Sequence, residues 1–106
     1  MSATVLVIED YADLRAAVVS VLSRAHYVCD SVETSEAVER LRTHRYATIL
    51  LAPKLPVSDD PVVRYLADHG EAGRVILMTD PDSDPVEDYR TLSKPFNREE
   101  LLTQIR

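Results

Sequence analysis

Four separated stretches carry the side chains that phosphoryl chemistry assisted by a divalent cation would need. Glu9 and Asp10 form an acidic pair directly after the apolar run Thr4–Ile8. Thr79 follows a second run, Arg74–Met78, and Lys94 stands in Ser93-Lys94-Pro95-Phe96 after a weaker one, Thr91–Ser93. Between them, Ala47–Leu51 leads into Ala52-Pro53-Lys54-Leu55-Pro56. Paired carboxylates can hold Mg²⁺, an ammonium neutralises phosphate charge, and a hydroxyl hydrogen-bonds a phosphate oxygen. The chain has two lysines, Lys54 and Lys94, against ten arginines, and both belong to this set. Gathered at one edge, these groups would form a cation and phosphoryl site.

The elements needed to gather them are legible in the hydrophobic pattern. Short β-branched runs at Thr4–Ile8, Tyr27–Ser31, Ala47–Leu51 and Arg74–Met78, with Thr91–Ser93, alternate with stretches of helical period. In the first helical stretch Leu14, Ala17, Val18, Val21 and Leu22 recur at i, i+3, i+4, i+7 and i+8, one helix face. The second, about Ser35–Thr43, points Ala37, Val38 and Leu41 inward, with Thr34 as N-cap. The third opens on Asp60-Pro61, cap then first-turn proline, and stops at Gly70. The last opens on Asn97 with Glu100 three residues on, and turns Leu101, Leu102 and Ile105 inward.

Strand–helix alternation with apolar strands predicts a parallel sheet covered on both faces. Right-handed crossovers make it a doubly wound three-layer α/β sandwich. One segment breaks the rhythm. Thr79-Asp80-Pro81-Asp82-Ser83-Asp84-Pro85 holds two prolines and three aspartates, so the helix before the fifth strand is expected to be missing or shortened to a turn near Val86–Tyr89. In such a fold, ligands bind beyond the carboxyl ends of the strands, where all the residues above fall.

Composition removes several functions. A length of 106 residues suits one domain, and a net charge of −6 argues against direct nucleic-acid binding. The longest apolar run, Ala47–Ala52, falls far short of the ~20 residues that span a bilayer, and the N-terminus lacks a secretory pattern. The single cysteine, Cys29, forms no internal disulfide and fits a reducing cytoplasm and a core position. With Gly70 and Gly73 as the only glycines, no phosphate-cradling glycine loop exists. Asp82-Ser83-Asp84 lacks the glycine and distal glutamate of an EF-hand loop. His26, His44 and His69 read as surface residues, and Arg40, Arg42 and Arg45 as solvated charges suited to a helix C-terminus.

Val5-Leu6-Val7-Ile8-Glu9-Asp10, the turn at Leu55-Pro56, Met78-Thr79 and Ser93-Lys94-Pro95-Phe96 together resemble a response-regulator receiver domain. The resemblance covers essentially the whole chain, residues 1–106, with the motifs in order. It implies a five-stranded parallel sheet in the flavodoxin-like order 2-1-3-4-5, and two-component signalling.

The resemblance also locates what is missing. The family's phosphate-accepting aspartate lies four residues before the proline of the following turn, which here is Ala52. A methyl group is neither nucleophile nor metal ligand. Thr91 stands at the switch aromatic's position, three residues before Lys94. The interval from Thr79 to Lys94 is 15 residues, several short of the family's. Lys54, two positions after Ala52, is expected to face the site and, with Lys94, to relieve repulsion between Glu9 and Asp10.

The expected function is therefore that of a non-enzymatic pseudo-receiver in the cytoplasm, with no metal or cofactor. It would act by protein–protein contact through helix one or the acidic loop, and homodimerisation is a further option. The alternative is a receiver still phosphorylated in a phosphorelay at Asp59 or Asp60, although Asp60 is also wanted as a helix cap. Leu101–Arg106 stops about two turns into its helix, so the chain reads as the first part of a longer regulator.

Overall fold

A computed structural model describes residues 4–54, 56–83, 86 and 88–106. The apolar runs form β1 (Val5–Ile8), β2 (Cys29–Val32), β3 (Thr48–Leu51), β4 (Val75–Thr79) and β5 (Arg90–Ser93). All pair in parallel, in the order β2-β1-β3-β4-β5. The helices are α1 (Ala12–Arg24), α2 (Thr34–Thr43), α3 (Pro61–Asp68) and α4 (Arg98–Ile105).

Side chains alternate across the sheet, so each strand feeds two cores. Leu6, Ile8, Ile49, Leu51 and Leu77 pack with Ala37 of α2 and Val62 and Leu66 of α3. Val5, Val7, Leu50, Ile76 and Met78 pack on the other face with Val18 and Leu22 of α1 and Leu101 and Leu102 of α4. Burial on both faces is why β1, β3 and β4 read as unbroken apolar runs instead of alternating ones.

Local signals set three helix ends. Asp60 caps α3 by accepting from the N–H groups of Val62 (2.9 Å) and Val63 (3.2 Å), with Pro61 in the first turn. Gly70, at φ +70°, takes the left-handed conformation after α3 that glycine adopts without strain. Asn97 and Glu100 form a reciprocal capping box on α4.

Other expectations need correction. Ala17 is exposed, so the apolar stripe of α1 is narrower than its spacing predicts. Thr34 is the first residue of α2, not its cap, because its N–H and hydroxyl are drawn to Asp10. Arg40 is not simply solvated, since it pairs with Asp30 at 3.2 Å. Cys29 is half-buried with a free thiol. Between β4 and β5 the described residues form turns and no helix; Asp84, Pro85 and Glu87, within that expectation, lie outside the described residues. No helix among the described residues is long and apolar enough to cross a membrane.

Candidate functional site

Parallel register brings the strand ends together. Ile8 is level with Val32 and Leu51, and Thr79 with Ser93. The next residues, Glu9, Ala52 and Lys94, thus follow three strands at the same sheet edge. Backbone bonds continue the alignment: Ala52 N–H donates to the Ile8 carbonyl at 2.9 Å and Lys94 N–H to the Thr79 carbonyl at 2.7 Å. The Lys94–Pro95 peptide is cis.

Glu9 is 3% exposed, and both its oxygens are engaged. Oε1 accepts from Lys94 Nζ at 2.8 Å and Oε2 from the Asp10 N–H at 2.9 Å. Burying a carboxylate is costly unless it is paired and hydrogen-bonded, and here it is both. Arg15 of α1 donates to the Glu9 carbonyl at 2.8 Å, holding the strand end from the helix side.

Asp10 is equally engaged. Lys54 Nζ lies 2.8 Å from Oδ2, while Thr34 donates its N–H to Oδ1 (2.7 Å) and its hydroxyl to Oδ2 (3.0 Å). The first N–H groups of a helix have no partner within it, so Asp10 serves the start of α2 from another strand. A simpler role for the acidic pair, capping α1, does not apply: Tyr11 occupies that cap position without a side-chain bond. Burial pushes the Asp10 carboxyl up, but the Lys54 ammonium and the two Thr34 donors outweigh it and hold it below its ordinary value. The hydrogen bond to Asp10 raises Lys54 correspondingly.

The sign of the pH effect follows. A carboxyl whose pKa is lowered by folding stabilises the fold above its unfolded pKa, near 3.8, and loses that contribution as pH falls through the lower folded value. Urea titrations from pH 6 towards pH 3 should show stability falling on the acid side, with a shallower fall in Asp10→Asn. Identical acid limbs would mean that Asp10 is not held by these partners.

Ala52, at the end of β3, is 8% exposed, its methyl packed among the apolar groups on the α1–α4 face. Thr79 is half-buried and lines, with Lys54 and Lys94, a cleft of about 670 Å³. Thr91 is exposed on β5, level with Leu77. Asp59 is exposed in the 3₁₀ turn Val57–Asp59. Asp60 is 1% exposed, and besides capping α3 its Oδ2 accepts from the Lys54 N–H at 3.3 Å. Leu55 lies outside the described residues.

Glu9, Asp10, Lys54 and Lys94 thus form two ion pairs joined through the Asp10 N–H, with Thr79 on the adjoining cleft. Three contributors escape sequence reasoning. Thr34 reads as a cap, Arg15 carries no signal in the sequence, and the Asp60-Pro61 signal discloses the cap but not its hold on Lys54. The donor set does not suit a divalent cation. Each carboxylate already lies 2.8 Å from an ammonium, and Ala52 offers no third oxygen. Among the described residues no three His, Cys, Asp or Glu side chains are grouped to bind a metal.

No family model matches the chain. It is 28% identical over 113 residues to the response regulator receiver protein CpdR of Brucella abortus (strain 2308), covering 95% of this chain and 92% of that protein. The fold matches Vibrio cholerae chemotaxis protein CheY4 with a TM-score of 0.79 at 21% identity, covering 99% and 97% of the two chains. It also matches a chain in the complex of histidine kinase ThkA with response regulator protein TrrA (TM-score 0.74, 20% identity, 99% and 96% covered). The chain has the fold of response-regulator receiver domains.

Proposed function

We propose that this chain is a pseudo-receiver, a cytoplasmic signalling domain that acts by contact with another protein and without phosphorylation. The observation that carries the reading is the pairing of Lys54 with Asp10 and of Lys94 with Glu9 beside Ala52. An acyl phosphate needs a carboxylate nucleophile, and the methyl of Ala52 cannot supply one. The lysine that would neutralise a phosphoryl group is bound to a buried carboxylate instead. Internal charge pairing holds the site in one state, so the domain works as a fixed surface and not as an enzyme.

The surface favoured for contact is that of α1. Tyr11, just before α1, is 75% exposed, and the exposed Ala17 with Leu14, Val21, Phe96 and Leu101 lines a shallow apolar hollow along α1. Large exposed aromatic side chains beside apolar hollows are the usual anchors of protein interfaces. The match to a chain from a kinase–regulator complex supports a protein partner, with a second copy of this chain as the other occupant. The acidic balance of the chain disfavours nucleic acid.

Incubation with acetyl phosphate and Mg²⁺, followed by intact mass, should show no gain of a phosphoryl group. Titration calorimetry should show no Mg²⁺ binding at millimolar concentration, in the wild type or in Ala52→Asp, where Lys54 would pair with the new acid. A stoichiometric, base-labile adduct would overturn the proposal, and its loss in Asp59→Asn or Asp60→Asn would locate the acceptor.

A further inference from the structure

At the opposite end of the sheet, where α2 and α3 finish, lies a second cleft of about 430 Å³, large enough for a mononucleotide. Arg42 and Arg45 line it on one side, with His44 stacked on Tyr46 at 6.4 Å between ring centroids. Tyr65 and His69 line it on the other, stacked at 4.0 Å. A chain of net charge −6 here presents a local excess of positive charge beside two pairs of rings.

Cations at a helix C-terminus are ordinarily explained by the helix dipole. That explanation covers Arg40 and Arg42, in the last turn of α2, but not Arg45, which lies beyond the helix, nor the rings on the far wall. Arg40 is turned to Asp30, whereas Arg42 meets only the exposed Glu39 at 3.7 Å, and Arg45 has no ion pair among the described residues. The carboxylate that lines the cleft, Glu71, is held by Arg74 at 3.1 Å.

Several of the carbonyls near the two helix ends, which would repel an anion, are already engaged. Thr43 Oγ1 donates to the Glu39 and Arg40 carbonyls, His44 N–H to Arg40, His69 N–H to Tyr65, and Glu71 N–H to Leu66. His69 Nδ1 lies 2.8 Å from the Tyr65 carbonyl, which can only accept, so Nδ1 carries the hydrogen and fixes the ring in place.

Planar guanidinium groups match phosphate oxygens in pairs, and aromatic rings stack on bases. We propose that this cleft binds a small phosphorylated aromatic ligand of the nucleoside monophosphate class, its phosphate on Arg42 and Arg45 and its base against Tyr65 and His69. The site needs no glycine-rich loop, because side chains and not backbone N–H groups would hold the phosphate. It stands independently of the chemistry at Glu9 and Asp10.

Amide chemical-shift titrations of the intact chain with adenosine and guanosine monophosphates, adenosine, and inorganic phosphate test this. Either nucleotide should bind at submillimolar to millimolar concentration and shift residues 41–46 and 65–71. Adenosine and phosphate alone should each bind at least about tenfold more weakly. The double variant R42A/R45A, both changes on exposed side chains, should melt as the wild type does and lose at least about tenfold in nucleotide affinity. His69→Ala should weaken the nucleotides and leave inorganic phosphate unchanged. No shifts at millimolar nucleotide, shifts centred on the Lys94 end, or phosphate binding as well as a nucleotide would overturn the proposal.

Discussion

Replacing Lys94 with methionine is expected to lower the unfolding free energy by about 3–5 kcal/mol, the usual penalty for removing one partner of a buried pair. Glu9 is 3% exposed and the Lys94 side chain 19%, so no water replaces the lost ammonium cheaply. Methionine preserves most of the lysine stem's packing and removes only the charge. At the entropy of unfolding of a domain this size, Tm should fall by more than about 10 °C. Adding Glu9→Gln should recover most of the loss, because a neutral amide no longer needs the partner. A Lys94→Met protein that melts within about 1 kcal/mol of the wild type would show that Glu9 is not held by this ammonium. Lys54→Ala should shift the melt in the same direction but less, since the Lys54 side chain is 64% exposed and solvent screens its pair with Asp10.

The second large effect concerns Asp60. Its carboxylate is buried and accepts three N–H groups, two at the start of α3 and one from Lys54. Asp60→Ala should cost about 2–3 kcal/mol, more than the ~1 kcal/mol typical of a helix cap, because three donors lose their acceptor together. Asp60→Asn separates the parts. Val62 and Val63 both donate to Oδ1, so the single carbonyl oxygen of asparagine can keep the cap, while the Lys54 N–H, on Oδ2, loses its partner. Denaturant melts should therefore rank wild type above Asp60→Asn above Asp60→Ala, and Lys54 amide exchange should quicken in both variants. Asp59→Ala, at an exposed position, should melt as the wild type does. Equal melting of all three Asp60 proteins would remove the link between the start of α3 and the Lys54 turn.

Much of this molecule depends on interactions between residues a few positions apart, and these are legible in one dimension. Asp60-Pro61 and Asn97-to-Glu100 announce helix starts because a cap and its N–H targets lie within one turn. Apolar strands alternating with helical periods dictate a parallel sheet, since only helices on both faces bury such strands. The missing or shortened helix before β5 is legible in the same way, because two prolines and three aspartates within seven residues argue against a helix. Ala52, just after β3, stands out only through the resemblance to receiver domains, in which the turn that follows sets the count.

The pairings are another matter. Glu9 and Lys94 are 85 residues apart, and Asp10 and Thr34 are 24 apart. Sequence alone shows two acids and two lysines whose strands end on one sheet edge, and leaves open which ammonium meets which carboxylate. The tertiary structure decides it through register and crossover. β5 and the Lys94 turn reach the buried Glu9, while the loop anchored on Asp60 carries Lys54 to the more open Asp10. Thr34 becomes the Asp10 partner because β1 lies beside β2 and the chain enters α2 directly above that pair of strand ends. The arginine-lined cleft at the far end likewise exists only because α2 and α3 finish side by side. Short-range chemistry chose the elements, and the distances between residues remote in sequence were set when the sheet closed around them.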